Sequence, residues 1–391
     1  MLEATKKSQA LRFDEMAFLV KDKIDNPAEA DVDRYVGLEH LDPESLKIRR
    51  WGAPTDVSAS KLVFKSADII FGKRRVYQRK LAVADFDGIC SAHAMVLRPK
   101  PNVVLPEFLP FFMQSDLFME RALEISVGSL SPTINWKTLA KQEFVLPPLE
   151  EQRRIAEVLE QARELTEKLV LLQESAVRAF SSVASLKFSA LRDSYPTVRL
   201  ADICLKKPQS GIYKSEKYRG RGTPMVNMGE LFGNDIIDAD IDMERVELDA
   251  TELLRYRLTP NDLLFGRRSV VLEGAGRCVM VRDPGEAMVF ESSVLRATID
   301  PKKADTCFVF EWLRSPLGHQ QIRRIVTFTT VSGVAGSDVA RLPVPLPPLD
   351  VQERIAEELS GLRNLLDVPR KRIDKSIELS KTLLRRVLEE A

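Results

Sequence analysis

The sequence predicts a mixed α/β fold, with two globular α/β domains joined by two long helices that form an antiparallel coiled coil. Three observations carry this expectation. A gapless internal repeat divides the chain into two copies of one unit. Each copy ends in apolar residues recurring at spacings of three and four, the period of a helix face. The length of 391 residues, 44% of them hydrophobic, suffices for two cores and is too apolar for a disordered chain.

The repeat is clearest at the domain ends. Residues 145–159 read VLPPLEEQRRIAEVL and residues 345–359 read PLPPLDVQERIAEEL, an offset of 200. Pro147, Pro148 and Leu149 recur as Pro347, Pro348 and Leu349. Gln152, Arg154, Ile155, Ala156, Glu157 and Leu159 recur as Gln352, Arg354, Ile355, Ala356, Glu357 and Leu359. Ser115-Asp116-Leu117 falls on Ser315-Pro316-Leu317, and ADIIFGKRR (67–75) resembles NDLLFGRRS (261–269) at an offset of 194. The boundaries that follow are 1–148 for the first domain, 149–192 for a central helix, 193–348 for the second domain and 349–391 for a terminal helix.

Each helix opens after a double proline, which suits a helix start and not its interior. In the first, Ile155, Leu159, Ala162, Leu165, Leu169, Leu172, Ala176, Ala179, Val183, Leu186 and Ala190 form a heptad-like seam. No glycine or proline interrupts it, and 42 residues at about 1.5 Å each make a rod of roughly 60 Å. The terminal helix starts alike with Ile355, Leu359 and Leu362 and resumes at Ile373, Ile377, Leu384 and Val387. Pro369 lies between, so a kink or break is expected near Val368. Two matching seams are most simply buried against each other.

The globular regions mix both textures. KLVFKSADIIFG and NDLLFG look like strands running into a glycine turn. Residues 105–123 and 307–325 look like helices, each followed by a Ser/Gly/Thr-rich loop, SVGSLSPT and TTVSGVAGS.

Chemistry-bearing motifs are scarce. Cys90, Cys204, Cys278 and Cys307 form no CxxC pair and His40, His93 and His319 stand apart, so the expectation is buried free thiols and no metal site. There is no P-loop, HExxH or GxSxG. Asp300-Pro301-Lys302 matches an acidic-x-lysine element only with a proline at its centre, and Glu273-Gly274-Ala275-Gly276 reads as a hairpin turn. No run is long and apolar enough to span a bilayer and the N-terminus lacks a signal-peptide core, which predicts a soluble, cytoplasmic chain without membrane contact. A duplicated chain without catalytic motifs reads as a recognition subunit that is no enzyme.

Net charge is +1, from 58 Lys+Arg against 57 Asp+Glu, yet the signs are unevenly placed. Lys61, Lys65, Lys73, Arg74, Arg75, Arg79 and Lys80 face Asp68 alone, with Tyr77 and Gln78 interleaved. Lys206, Lys207, Lys214, Lys217, Arg219 and Arg221 form a second basic run, and Arg267 and Arg268 stand where Lys73 and Arg74 stand in the first copy. Acidic runs occupy residues 25–44 and 230–252, which suggests one face per domain for phosphate and another kept from it. Cations beside Gln and Tyr suit phosphate positioning and base-edge reading, so these residues are the candidate DNA contacts.

On FVLPPLEEQRRIAEVLE and PLPPLDVQERIAEELS, with YVGLEHLD (35–42), ADIIFGKRR (67–75) and GICSAHAMVLRP (88–99), the chain resembles the specificity (S) subunit of type I restriction–modification systems. The resemblance covers almost the whole chain in the family's order of target recognition domain, helix, target recognition domain, helix. It implies a non-catalytic reader of a bipartite, asymmetric site on double-stranded DNA, one half-site per domain, with the helices setting the spacer. It further implies two methyltransferase (M) subunits docked on the helices and nuclease/translocase (R) subunits beyond them, in a system of DNA methylation and phage defence. S-adenosylmethionine and ATP belong to those partners, and this chain needs no cofactor. The second domain offers VFESSVLRA where the first has GICSAHAMV. A coiled-coil scaffold joining two protein-binding domains is the alternative reading.

Overall fold

The structure, a computed structural model, describes residues 9–269, 274–327 and 332–390. Two compact units divide it. The first takes in the chain to Val170 and again from Lys371, and the second runs from Leu171 to Arg370. Each unit therefore contains one globular region and a half of each long helix.

In the first unit, strands β1 (Gln9–Arg12) and β10 (Glu143–Leu146) pair as an antiparallel ribbon at the entry and exit of the globular region. Strands β2 (Ala17–Val20), β6 (Ile69–Gly72), β7 (Leu81–Val83) and β9 (Ala94–Pro99) form an antiparallel sheet in the order β2-β9-β6-β7. A second sheet runs β3 (Lys23–Ile24), β5 (Lys61–Phe64), β8 (Gly88–Cys90), β4 (Tyr35–Val36), with β4 parallel to β8. All four residues of β6 are buried, because the strand is covered on both faces. Beneath it, the rings of Phe13, Phe71, Phe112, Phe118 and Phe144 interlock, the Phe112–Phe144 centroids lying 5.2 Å apart. Asp68, 1% exposed, closes the turn before β6 by accepting the Lys65 N–H at 2.9 Å and both Arg98 Nε and Nη2.

The second unit repeats this plan. Its ribbon is β11 (Thr197–Arg199) with β22 (Pro343–Pro345). Strands β12 (Gln209–Ser210), β14 (Ile236–Asp238), β16 (Asp262–Gly266), β18 (Cys278–Asp283) and β20 (Val294–Thr298) lie in the order β12-β20-β16-β18-β14. Strands β13 (Arg219–Val226), β15 (Arg245–Val246) and β19 (Val289–Phe290) form the smaller sheet, with β13 parallel to β19 as β4 is to β8. Asp262 repeats Asp68: fully buried, it accepts the Thr259 N–H at 2.7 Å. This turn is what the ADIIFG/NDLLFG similarity encodes.

The helices expected over 105–123 and 307–325 are each broken in two. Leu109–Gln114 is followed by Asp116–Glu124, and Thr306–Arg314 by Pro316–Ile325. Ser115 and Ser315 are extended at the break, and each hydroxyl caps the second helix, accepting from Phe118 N and Gly318 N. Pro316 cannot continue the ladder of the helix before it.

The long helices span Leu149–Ser194 and Leu349–Glu390. Of the kink or break expected near Val368, the break does not occur: Pro369 sits inside a continuous helix. One missing N–H removes a single rung while neighbouring rungs hold. Within the first unit, Ile155, Ala156 and Leu159 share a core with Leu384 and Leu388, and the Thr166 and Ser376 hydroxyls bond at 2.8 Å, which fixes the halves antiparallel. Within the second, Ala184, Phe188 and Leu191 share a core with Ile355, Ala356 and Leu359, and Lys187 pairs with Glu358.

The packed stripe departs from the expected seam. Leu165, Leu172, Ala179 and Leu186 are exposed, whereas Thr166, Gln173, Phe180, Ala184 and Phe188 are buried or half-buried. From Ile155 to Phe188 the inward positions follow the 3.6-residue turn of a straight helix rather than a 3.5-residue heptad, so the seam drifts by one residue.

Candidate nucleic-acid interface

At the end of β6 the chain enters a basic turn that two segments frame. The Lys73 N–H donates to the His93 carbonyl at 3.1 Å, and the Lys73 carbonyl accepts from Ile134 N at 2.9 Å. The Arg75 N–H donates to the Pro132 carbonyl at 2.7 Å, and its Nε to Ser131 Oγ at 3.2 Å. Arg74 Nη1 lies 3.4 Å from His93 Nε2. Arg75 (φ 57°) and Arg79 (φ 51°) are both left-handed, flanking the 3-10 turn Val76–Gln78. Such backbone is costly for residues with a Cβ and persists where surroundings over-determine it.

The candidate residues of the first unit separate by what they touch. Lys73 and Arg74 are half-buried, Arg75 and Tyr77 are exposed and Gln78 is half-buried. Lys73, Arg74 and Arg75 have no ion-pair partner among the described residues. Arg79 is committed elsewhere, to Asp116 at 2.9 Å, Glu44 at 3.3 Å and the Gln114 carbonyl. Lys80 Nζ donates to the Leu38 carbonyl at 2.6 Å. Lys61 is buried and donates to the Ala59 carbonyl. Lys65 pairs with Asp87 at 2.8 Å, a hydrogen bond that raises the lysine and lowers the carboxyl from their ordinary ranges.

The second unit builds the same frame. The Arg267 N–H donates to the Ser293 carbonyl at 2.8 Å, and the Arg267 carbonyl accepts from Val334 N at 3.0 Å. These bonds make Arg267 the counterpart of Lys73, Ser293 of His93 and Val334 of Ile134. Arg268 lies in β17 (Arg268–Ser269), which pairs with β21 (Ser332–Gly333). Arg268 is exposed, while Arg267 Nη1 reaches the Ser292 carbonyl at 3.4 Å. The correspondence also settles VFESSVLRA. Glu291 N donates to Val226 O as Ser91 N does to Val36 O, so 291–293 stands where 91–93 stands.

The second basic run is largely neutralised. Lys214 pairs with Glu252, Arg219 with Glu244 and Arg221 with Glu247, each at 2.6 Å. Lys214 and Lys217 both lie 4.8 Å from the Tyr218 ring. The acidic stretch expected on a separate face thus meets the basic one, because β15 pairs with β13 and Glu252 of the following helix reaches Lys214. Lys206, Lys207 and Lys217 remain exposed without ion pairs among the described residues.

Burial pushes the thiols of Cys90, Cys204, Cys278 and Cys307 up to about 12; the first three are buried and Cys307 half-buried. Asp300 accepts the Lys302 N–H at 3.1 Å, an Asx turn rather than a nuclease element. Glu273 lies outside the described residues, as do residues 329–331 of the second Ser/Gly/Thr-rich loop. Among the described residues no cluster could hold a metal ion and no helix is long and apolar enough to cross a membrane.

Sequence reasoning passed over His93, Ser293 and the 126–134 loop as parts of the site. The available signal was positional: each loop follows the second of two matching helices, and the Val127–Thr133 and Thr327–Gly333 pairs stand at the repeat offset of 200, although the loop sequences themselves differ.

Residues 56–172 and 193–379 match the family described as type I restriction modification DNA specificity domain. The chain belongs to that family. It is the specificity subunit of a type I restriction–modification system, a non-catalytic chain. It is similar to the specificity subunit of the EcoKI enzyme of Escherichia coli strain K12, at 22% identity over 99% of this chain and 84% of that protein. A putative MjaX specificity subunit of Methanocaldococcus jannaschii is 22% identical over 94% of this chain and 87% of that one. Among solved structures, the S subunit from M. genitalium has a TM-score of 0.55 at 16% identity, covering 99% of this chain and 97% of that one. A chain from a type I R-M system, solved for its complex assembly and conformational transition, gives 0.52 at 19% identity, covering 99% and 98%. Both share the specificity subunit's fold.

Proposed function

We propose that this specificity subunit reads a bipartite, asymmetric site on double-stranded DNA, one half-site per globular region. The observation that carries the reading is the twice-built frame in which Lys73 and Arg267 occupy one hydrogen-bonded position at the end of equivalent strands, each followed by an arginine. Arg74, Arg75 and Arg268, with Lys73 and Tyr77, are the side chains presented for phosphates and base edges. Lys206, Lys207 and Lys217 supply phosphate contacts, while Lys214, Arg219 and Arg221 must exchange a carboxylate for a phosphate to join them. A central helix of 46 residues, about 69 Å long at about 1.5 Å each, caps the spacer at roughly 20 base pairs.

The exposed apolar side chains of the helices, Leu165, Leu172 and Leu186 on the central one and Leu365 and Leu379 on the terminal one, suit docking of two methyltransferase subunits. S-adenosylmethionine and ATP then act on the methyltransferase and nuclease/translocase partners, in the cytoplasm, and this chain binds neither. The test is to co-express the chain with its methyltransferase partner and map adenine methylation over the host genome. A two-part motif with a constant gap is expected; no new methylation sinks the reading and favours a protein scaffold.

A further inference from the structure

The loop that closes over the first basic turn carries two largely exposed apolar side chains, Val127 and Leu130. Val127 and Thr133 exchange both backbone hydrogen bonds, at 3.1 and 3.0 Å, pinching residues 128–132 into a tip. Gly128, at φ +118°, makes the bend with a conformation that residues bearing a Cβ rarely adopt. The Thr133 hydroxyl donates to the Ser131 carbonyl at 3.1 Å, and Ser131 and Pro132 accept from Arg75, so the tip is tied to the basic turn. On it Leu130 is 91% exposed, and Val127 at its base is 79% exposed.

An exposed leucine stabilises nothing in the free chain, so its use lies in what covers it. The cations beside it choose the partner. Lys73, Arg74 and Arg75 have no ion pairs among the described residues, and Arg75 bonds the residue next to Leu130. Three adjacent unneutralised cations fit the phosphates of a duplex. In the major groove a duplex offers one apolar group, the C5-methyl of thymine. We propose that Leu130 contacts a thymine methyl in the half-site read by the first unit, with Arg74 and Arg75 on flanking phosphates. The proposal rests on the DNA-reading function above and names the base feature that one side chain reads.

The test uses the full chain assembled with its methyltransferase subunits, and duplexes carrying the mapped site. Each thymine of the first half-site is replaced in turn by deoxyuridine, which removes only the methyl. One such replacement should weaken binding about fourfold, the worth of one buried methyl. L130A should weaken binding to the thymine duplex by at least that factor and lose sensitivity to deoxyuridine at that position. L130M, which keeps apolar reach, should retain it. The proposal is overturned if L130A remains as sensitive as the parent, if no thymine matters, or if L130A impairs assembly of the subunits. Equal loss on every duplex points instead to a wedge between base steps and also overturns it. Methylation directed by the second half-site serves as control: if the parent complex shows no site preference at all, the DNA-reading function fails, not this assignment alone.

Discussion

Gln152 accepts the backbone N–H of Leu105 on its amide oxygen at 2.9 Å, a bond that spans 47 residues and joins the start of the central helix to the globular region. Its amide nitrogen donates to the Pro147 carbonyl at 2.9 Å, and the residue is 1% exposed. Gln352 repeats both bonds with Asp305 and Pro347. The glutamine of the LPPL–x–x–Q repeat is therefore a splint that sets the angle at which each helix leaves its domain. Replacing it by leucine strands a buried N–H and a buried carbonyl together, a loss of about 2–4 kcal/mol. Urea denaturation of Q152L should show that loss. Q152E should fall nearly as far, because a carboxylate can accept from Leu105 but cannot donate to Pro147. An unchanged midpoint in Q152L means the splint contributes nothing.

Two arginines of the first basic run, Arg74 and Arg79, should behave oppositely. Arg79 holds two carboxylates and a carbonyl, so R79A should cost about 2 kcal/mol of stability. Arg74 makes one long contact with His93, so R74A should leave stability within about 0.5 kcal/mol of the parent. In DNA titrations over salt, R74A should lower the slope of log affinity by about one. Refolded R79A should keep the parent slope. Paired thermal melts and salt titrations distinguish the two; a reduced slope in R79A alone reverses the assignment.

The sequence carried the architecture further than the site. The LPPL repeat, the matched Ser115 and Ser315 and the Asp68/Asp262 turn each have the same bonding in both units, because local capping and burial are written in short spacings. The side chains free for DNA were not legible. Lys73 and Arg79 look alike in a basic run, yet only folding brings Glu44 and Asp116 to Arg79. Lys214, Arg219 and Arg221 meet acids 25 to 38 residues onward, a pairing set by the neighbouring strands and helix rather than by sequence distance. The heptad seam misled for a different reason: leucine spacing cannot reveal whether a helix is straight or supercoiled.

The second unit holds a buried ion pair at positions where the first has Phe111 and Arg163. Arg363 donates to both oxygens of Glu311, at 2.8 and 2.6 Å, with Glu311 1% exposed. Phe180 and Phe310 lie 4.8 and 5.4 Å from the guanidinium, and Asp235 approaches it at 3.7 Å. At the repeat offset Glu311 corresponds to Phe111 and Arg363 to Arg163. Breaking such a pair leaves an uncompensated charge, so E311A and R363A should each cost about 3–5 kcal/mol. The double variant E311L/R363M removes both charges and should recover most of that loss. Denaturation midpoints of the three variants check this, and additive losses in the double variant refute a coupled pair.

Acid should loosen the first unit through Asp116 and Glu160, together with the exposed Asp87. Burial alone raises Asp116, but Arg385 and Arg79 outweigh it and hold the carboxyl below its ordinary range. Hydrogen bonds from Arg163 hold Glu160 down in the same way. A carboxyl depressed in the folded state binds fewer protons there than in the unfolded chain. Its stabilisation is therefore complete above the unfolded value of about 4 and is lost as pH falls through the folded one. Stability should stay level from pH 7 to about 5 and then decline, as Arg385 of the terminal helix and Arg79 of the basic turn lose their common partner. D116N removes one of these linked groups, so it should be less stable than the parent at pH 7 and fall less steeply below pH 4. Urea midpoints at pH 7, 5, 4 and 3 for parent and variant measure the difference. Parallel curves would show that the Asp116 pairs are not linked to folding.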